Sequence, residues 1–247
     1  DALTTLVAAG VLLGYFRMRR LSGEANGNGA RSLRASPLRD REFVAVLVLL
    51  LASTIVFFQF LSTYPLYLRD HYGLDEIRIG LLFAVNTVVI VLFEMLLIDY
   101  VKRWPLLRTI GWGSFLSCAG FGLLAFGSTM GYAIFAMLVL TIGEMLSMPL
   151  TTGYVANRAP VGSEARYMGW LAMTISLAFV LGPAIGASVY AVDRDAVWIA
   201  CLLIGFAVLV GFYLLPTAKC AEAPDIANEA EPDGIESPRE EVAEAPV

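Results

Sequence analysis

Two carboxylates, Glu144 and Glu94, stand inside otherwise uncharged apolar runs and are the side chains best placed to do chemistry. Glu144 lies in the run Tyr132–Leu150, roughly 10 Å from its later end at the rise of an α-helix. A carboxylate facing hydrocarbon is costly, so such a group turns to a cavity or to a partner. Desolvation favours the neutral form of a carboxyl group. Loading and releasing a proton near neutral pH requires that property. The competing assignment is structural: an ion pair or helix-end hydrogen bond, with Arg158 or Arg166 as partner. Glu94, one turn from Asp99, either lines the mouth of a cavity or reaches the polar boundary to pair with a loop arginine.

Neutral polar groups share these runs. Asn86, Thr87, Gln59 and Thr63 need hydrogen-bond partners in an apolar medium. They either contact a solute or bond one helix to another. Tyr64 and Tyr67, with Phe57, Phe58 and Phe60, either form an apolar solute wall or face lipid or the interfacial belt. Gly182, Pro183 and Gly186 combine close approach with a bend, as a hinge or as plain packing. Asp99, Lys102 and Arg103 are either a gate or simple end-of-helix charge. His71 is the sole histidine, so no metal site is expected, and no cofactor is implied. No catalytic Ser–His–Asp set or phosphate-binding loop occurs, and no basic patch suggests nucleic acid.

The elements that must hold these residues are apolar rods. Hydrophobic residues make up 58% of the chain, and mean hydropathy is +0.71. A water-soluble domain cannot bury that much apolar surface. Crossing a bilayer core of about 30 Å takes roughly 20 apolar residues. The spacing predicts spans at Phe43–Tyr67, Ile79–Ile98, Thr109–Phe126, Tyr132–Leu150, Tyr167–Val192 and Ala196–Leu215. The break inside the long uncharged run falls at Gly127-Ser-Thr-Met-Gly131. The runs are continuous and do not alternate, which argues against a barrel. The expected organisation is a partial transmembrane helix at 1–16, a linker at 17–42, a six-helix domain at 43–216 and a disordered acidic tail at 217–247. The missing start of the first run suggests a piece of a longer chain.

The net charge of −5 conceals a polarity. The tail holds nine of the 22 acidic residues, whereas twelve of the 17 Lys and Arg fall in 17–41, 99–108 and 151–166. Only Arg69, Arg78 and Arg194 occupy the alternate connections. The positive-inside rule then places linker and tail in the cytoplasm of a multi-pass plasma-membrane protein.

Three stretches resemble the major facilitator superfamily, and its drug-efflux-like members in particular. They are Gly80-Leu-Leu-Phe-Ala-Val-Asn86 through Glu94, Gly143-Glu-Met-Leu-Ser-Met-Pro149 with Ala159-Pro160 and Arg166-Tyr-Met-Gly169, and Leu181-Gly-Pro-Ala-Ile-Gly186. They are similar to the eighth helix, to the tenth helix and start of the eleventh, and to a Gly-Pro motif at the fifth position of a half. Over Phe43–Leu215 the chain thus resembles a C-terminal half. At the family's cytoplasmic gating motif, Asp99, Lys102 and Arg103 fit the charges. Met95 and Lys102 stand where glycines are expected, which weakens the gate. The resemblance implies twelve helices in two bundles that rock about a central cavity and move small solutes, often against protons. The N-terminal half of the same transporter, the bilayer, a small amphipathic solute and the proton are then the expected partners. Six helices alone would lack one wall of the cavity and are not expected to transport. The rival readings are a half-size transporter acting as a homodimer and a non-transporting scaffold or sensor that uses the acidic tail.

Overall fold

The computed structural model describes residues 37–215. The expected helix at 1–16, the linker up to residue 36 and the tail at 217–247 lie outside the described residues. Helices α1 (Arg41–Phe57), α2 (Thr63–Asp70), α3 (Glu76–Val101), α4 (Leu106–Leu123), α5 (Met130–Arg158), α6 (Glu164–Val192) and α7 (Ala196–Leu214) follow in order. Short 3-10 turns occupy Pro37–Arg39, Phe58–Leu61 and Leu124–Phe126, and no strand occurs among the described residues. Six of these segments are long and apolar enough to cross a membrane: Arg41–Leu61, α3, Leu106–Phe126, α5, α6 and α7. Helices satisfy every backbone polar group internally, which is why a chain this apolar adopts them.

The polar residues between the runs start the helices. Asp40 accepts a hydrogen bond from the Phe43 amide at 3.2 Å, and Asp75 one from the Arg78 amide at 3.0 Å. Thr129 caps α5 through the Tyr132 amide at 3.3 Å, which fixes the break expected at residues 127–131. Each such cap contributes about 1 kcal/mol.

Two boundaries depart from the sequence expectation. The first span is not one helix to Tyr67. It ends at Phe57, passes through a 3-10 turn and restarts at Thr63 after Ser62, whose φ of −122° and ψ of −80° are not helical. Pro65 is the physical reason. It has no N–H to give the carbonyl four residues back, but in the first turn of a new helix that donor is not needed. The second departure is α5, which runs on to Arg158 instead of stopping at Leu150. Residues 151–158 are polar enough to read as a loop, yet Tyr154 and Val155 are buried with Leu107 and Ile110 of α4. That packing extends the helix beyond its most apolar part.

The tightest packing lies along α4. Gly113, Ser117 and Gly120 face α5 in antiparallel register, against Ser147, Gly143 and Leu140. A Cβ on Gly120 would sit 2.6 Å from the Leu140 backbone nitrogen, and one on Gly143 would sit 2.6 Å from the Gly113 carbonyl oxygen. The opposite side of α4 meets α7, where Gly205 lies against Cys118. Small residues let helix backbones approach this closely where no water is present to drive association. Two apolar clusters flank the seam. One gathers Tyr64, Tyr67, Phe121 and Trp198, the other Phe43, Leu107, Tyr167 and Phe212.

Candidate functional site

The register set by the α4–α5 seam turns one stripe of α5 toward α3. Thr141 and Glu144, three residues apart, lie on that stripe. The Asn86 side-chain amide on α3 donates to Thr141 Oγ1 at 2.9 Å and to Glu144 Oε2 at 3.0 Å. Thr141 passes its own hydrogen to the Met137 carbonyl at 2.7 Å. Asn86 and Thr141 are buried, with 7% and 0% of their surfaces exposed, while Glu144 is half-buried. The two hydrogens of one amide thus serve a hydroxyl and a carboxyl on the facing helix. The arrangement holds a carboxyl group within the span and leaves one of its oxygens outside this amide bond. Glu94 is half-buried on the same helix as Asn86, eight residues further along.

Arg158, one of the arginines considered as a partner for Glu144, is engaged elsewhere. It forms a two-point contact with Asp40, at 2.8 and 2.9 Å, and reaches Glu42 at 2.8 Å. Tyr154, one turn earlier on α5, donates to Glu42 at 3.4 Å. This latch joins the start of α1 to the end of α5. The charges also suit the positive N-terminal and negative C-terminal ends of the helix dipoles. The Arg158 guanidinium holds the Asp40 carboxyl below its ordinary pKa, against a smaller opposing effect of burial.

The remaining candidates fall into separate places. Gln59 is buried between α1 and α6. It donates to the Gly182 carbonyl at 2.7 Å and accepts from the Thr63 hydroxyl at 2.7 Å. Gly182 and Gly186 are where α6 passes this segment. A Cβ on Gly182 would come within 2.9 Å of Phe58, and one on Gly186 would collide with the Gln59 amide. Pro183 lies between them without interrupting α6. Tyr64 is 1% exposed and packs against the rings of Phe60, Phe83 and Phe121 at 5.4, 6.0 and 6.0 Å. Asp99 pairs with Lys102 on the surface at the end of α3, and Arg103 is exposed beside them.

Thr141, Asp40 and Glu42 were not singled out in the sequence. Thr141 carried a usable signal, since it precedes Glu144 by three residues and shares its helix face. Asp40 carried another, as an acidic residue directly before a helix. The pairing of either with its distant partner has no local signature.

A bundle of six apolar spans, with a carboxyl and an amide bonded to each other inside it, defines a multi-pass membrane protein. The chain belongs to the Major Facilitator Superfamily, whose profile matches residues 2–183. It is similar to the uncharacterised MFS-type transporter YqjV of Bacillus subtilis (strain 168), 24% identical over 150 residues. That alignment covers 60% of this chain and 36% of YqjV. It is also similar to the uncharacterised MFS-type transporter YttB of the same organism, 29% identical over 116 residues, 46% of this chain and 29% of YttB. The chain thus spans about a third of the length of these relatives. Both relatives are named as transporters.

Proposed function

We propose that these six helices are the C-terminal half of an alternating-access transporter that exports a small amphipathic solute in exchange for protons. The carrying observation is the carboxyl group of Glu144 held within a span by the Asn86 amide. A hydrogen bond from a neutral amide tolerates both the charged and the neutral carboxyl, because the accepting oxygen is present in each. A permanent ion pair would oppose protonation. Glu144 is therefore suited to take up and release a proton while the bundle changes its access.

The partner half follows from the same reading. Only 11% of the apolar stretch of α3 and 17% of that of α6 is buried within this bundle. In a two-bundle transporter, part of those faces meets the other half and the remainder meets lipid. The arginine-rich connections at 17–41, 99–108 and 151–166 support a cytoplasmic placement for the linker and tail of a plasma-membrane protein. Gly182, Pro183 and Gly186 belong to the contact between α1 and α6, where a rocking bundle would flex or seal. Asp99, Lys102 and Arg103 belong to the cytoplasmic rim.

The test is efflux by the full-length transporter of a panel of amphipathic dyes, ethidium among them, with and without an uncoupler. Energised efflux that collapses with the uncoupler is expected. Efflux that ignores the proton gradient removes the coupling. The absence of movement for every dye, in protein shown to be folded, favours a scaffold or sensor.

A further inference from the structure

The start of α4 and the end of α7 meet at one end of the bundle, because the two helices run antiparallel, with Gly111 beside Phe212 and Gly122 beside Leu202. Three side chains join across that seam. The Trp112 indole N–H donates to the Tyr213 hydroxyl at 3.0 Å. The Arg108 guanidinium carbon lies 5.6 Å from the centre of the Tyr213 ring. Arg108 and Trp112 stand four residues apart on one face of α4. All three residues are exposed, and none belongs to the Asn86–Glu144 pair or to the Arg158 latch.

Arg69, Arg78, Lys102 and Arg158 each reach a carboxylate. Among the described residues, none pairs with Arg108, whose charge is met only by the Tyr213 ring. An arginine at the edge of an apolar span requires an anion or water. A ring beneath a guanidinium covers its face and leaves the in-plane N–H donors free. Those donors match the two unesterified oxygens of a phosphodiester. Tyr213 accepts from Trp112, and its own hydroxyl hydrogen has no acceptor among the described residues, so it is a further donor.

The surface beside this cluster is apolar. On α7, Leu203, Phe206 and Val210 are exposed, at steps of three and four residues that lead up to Tyr213. From Leu203 to Tyr213 the helix rises roughly 15 Å, about half the thickness of the hydrocarbon core. A cation at the rim above an apolar track one leaflet deep fits a phospholipid better than a soluble anion.

We propose that the α4–α7 seam binds an anionic phospholipid, with its phosphodiester on Arg108 and Tyr213 and an acyl chain along Leu203, Phe206 and Val210. Basic sites between spans recognise anionic head groups by the same chemistry. A plain aromatic belt would anchor the helices without choosing among head groups, so head-group preference separates the two. The site goes beyond the transport reading. It requires only that these helices lie in a bilayer, whether or not Glu144 carries protons.

Equilibrium binding tests it. The full-length protein in dodecyl maltoside is titrated calorimetrically with three probes. Dioctanoyl phosphatidylglycerol carries a net negative phosphodiester. Dioctanoyl phosphatidylcholine cancels that charge with a quaternary ammonium. sn-Glycerol 3-phosphate is a soluble anion without acyl chains. Saturable binding of the phosphatidylglycerol is expected, at least about tenfold tighter than that of either other probe. Arg108→Gln should weaken it about tenfold or more, because hydrogen bonds from a charged donor are the strong ones. Tyr213→Phe keeps the ring and should weaken it about threefold. Arg78→Gln makes the same charge change at the opposite end of the bundle, where Arg78 pairs with Asp75, and should bind as the parent does. If Arg108→Gln does not fold, Arg108→Lys keeps the charge without the fork and should still weaken binding measurably. Equal affinity for the two lipids, glycerol phosphate binding as tightly as the phosphatidylglycerol, or unchanged affinity in the folded Arg108 variants overturns the proposal.

Discussion

Helices α4 and α3 are both long enough to cross a bilayer, yet they sit in opposite environments. The apolar stretch of Leu106–Phe126 is 67% buried within the bundle, while that of α3 is 11% buried. The more buried helix is the least hydropathic of the six spans, and the exposed one is among the most hydropathic. In water the order would be reversed. In lipid, the outer surface must be as apolar as the acyl chains, and the interior selects small residues that let backbones touch. The difference teaches that hydropathy locates the spans, whereas glycine and serine locate the contacts between them.

The largest expected effect breaks the close seam. Gly143→Val drives a side chain into the Ser117 amide and the Gly113 carbonyl. Overpacking of this kind costs about 1–3 kcal/mol, and more where the obstacle is backbone. Folded yield and the thermal midpoint in detergent should fall sharply. Gly169→Ala on α6 meets nothing within 4 Å and should be neutral or slightly stabilising, through its helix propensity. Equal damage at both positions would erase the distinction between inner and outer helices.

The latch comes next. Arg158→Gln leaves Asp40 and Glu42 without their guanidinium and should lower stability by about 1–3 kcal/mol, since the cluster is only partly shielded from water. Its pH dependence has a fixed sign. The Asp40 pKa is depressed in the folded state, so its contribution is present above the ordinary value of 3.8 and is lost as pH falls through the lower, folded value. The stability gap between the parent and Asp40→Asn, followed by thermal unfolding from neutral pH down to acid, should therefore close only in that acid range. A gap that persists unchanged there would assign the latch no electrostatic role.

Asn86→Ala removes the two hydrogen bonds that Asn86 makes from α3 to α5 and should cost roughly 0.6–1.7 kcal/mol, the range of hydrogen bonds between membrane helices. The smallest effect is expected at the surface pair. Lys102→Gln should change the thermal midpoint little, because the side chains of Asp99 and Lys102 are 69% and 65% exposed and such pairs contribute about 0–1 kcal/mol.

Much of this bundle was legible in the sequence because charge and turn residues punctuate it. Asp75, Thr129 and the Asp193–Asp195 turn each mark a real boundary. The break before Pro65 was hidden by its apolar neighbours, and the extra turns of α5 by their polar ones. At the site, Glu144 was visible as a lone acid in a run of apolar residues. Its partner was not, because the meeting of Asn86 with Glu144 depends on how α5 docks, and that is set by Gly113, Gly120 and Gly143 on other surfaces. Gln59 shows the same limit. A mid-span amide announces a need for partners, but only the packing of α6 at Gly182 reveals which one it found.

Proton flux driven by solute, in proteoliposomes of the full transporter, addresses the role of Glu144 most directly when the parent is set beside Glu144→Gln. The substitution keeps an acceptor oxygen for Asn86 and removes the titratable group. Solute-driven proton movement should vanish while insertion and thermal midpoint stay near the parent's. Unchanged proton flux in a folded Glu144→Gln protein would contradict the assignment of Glu144 as the proton carrier.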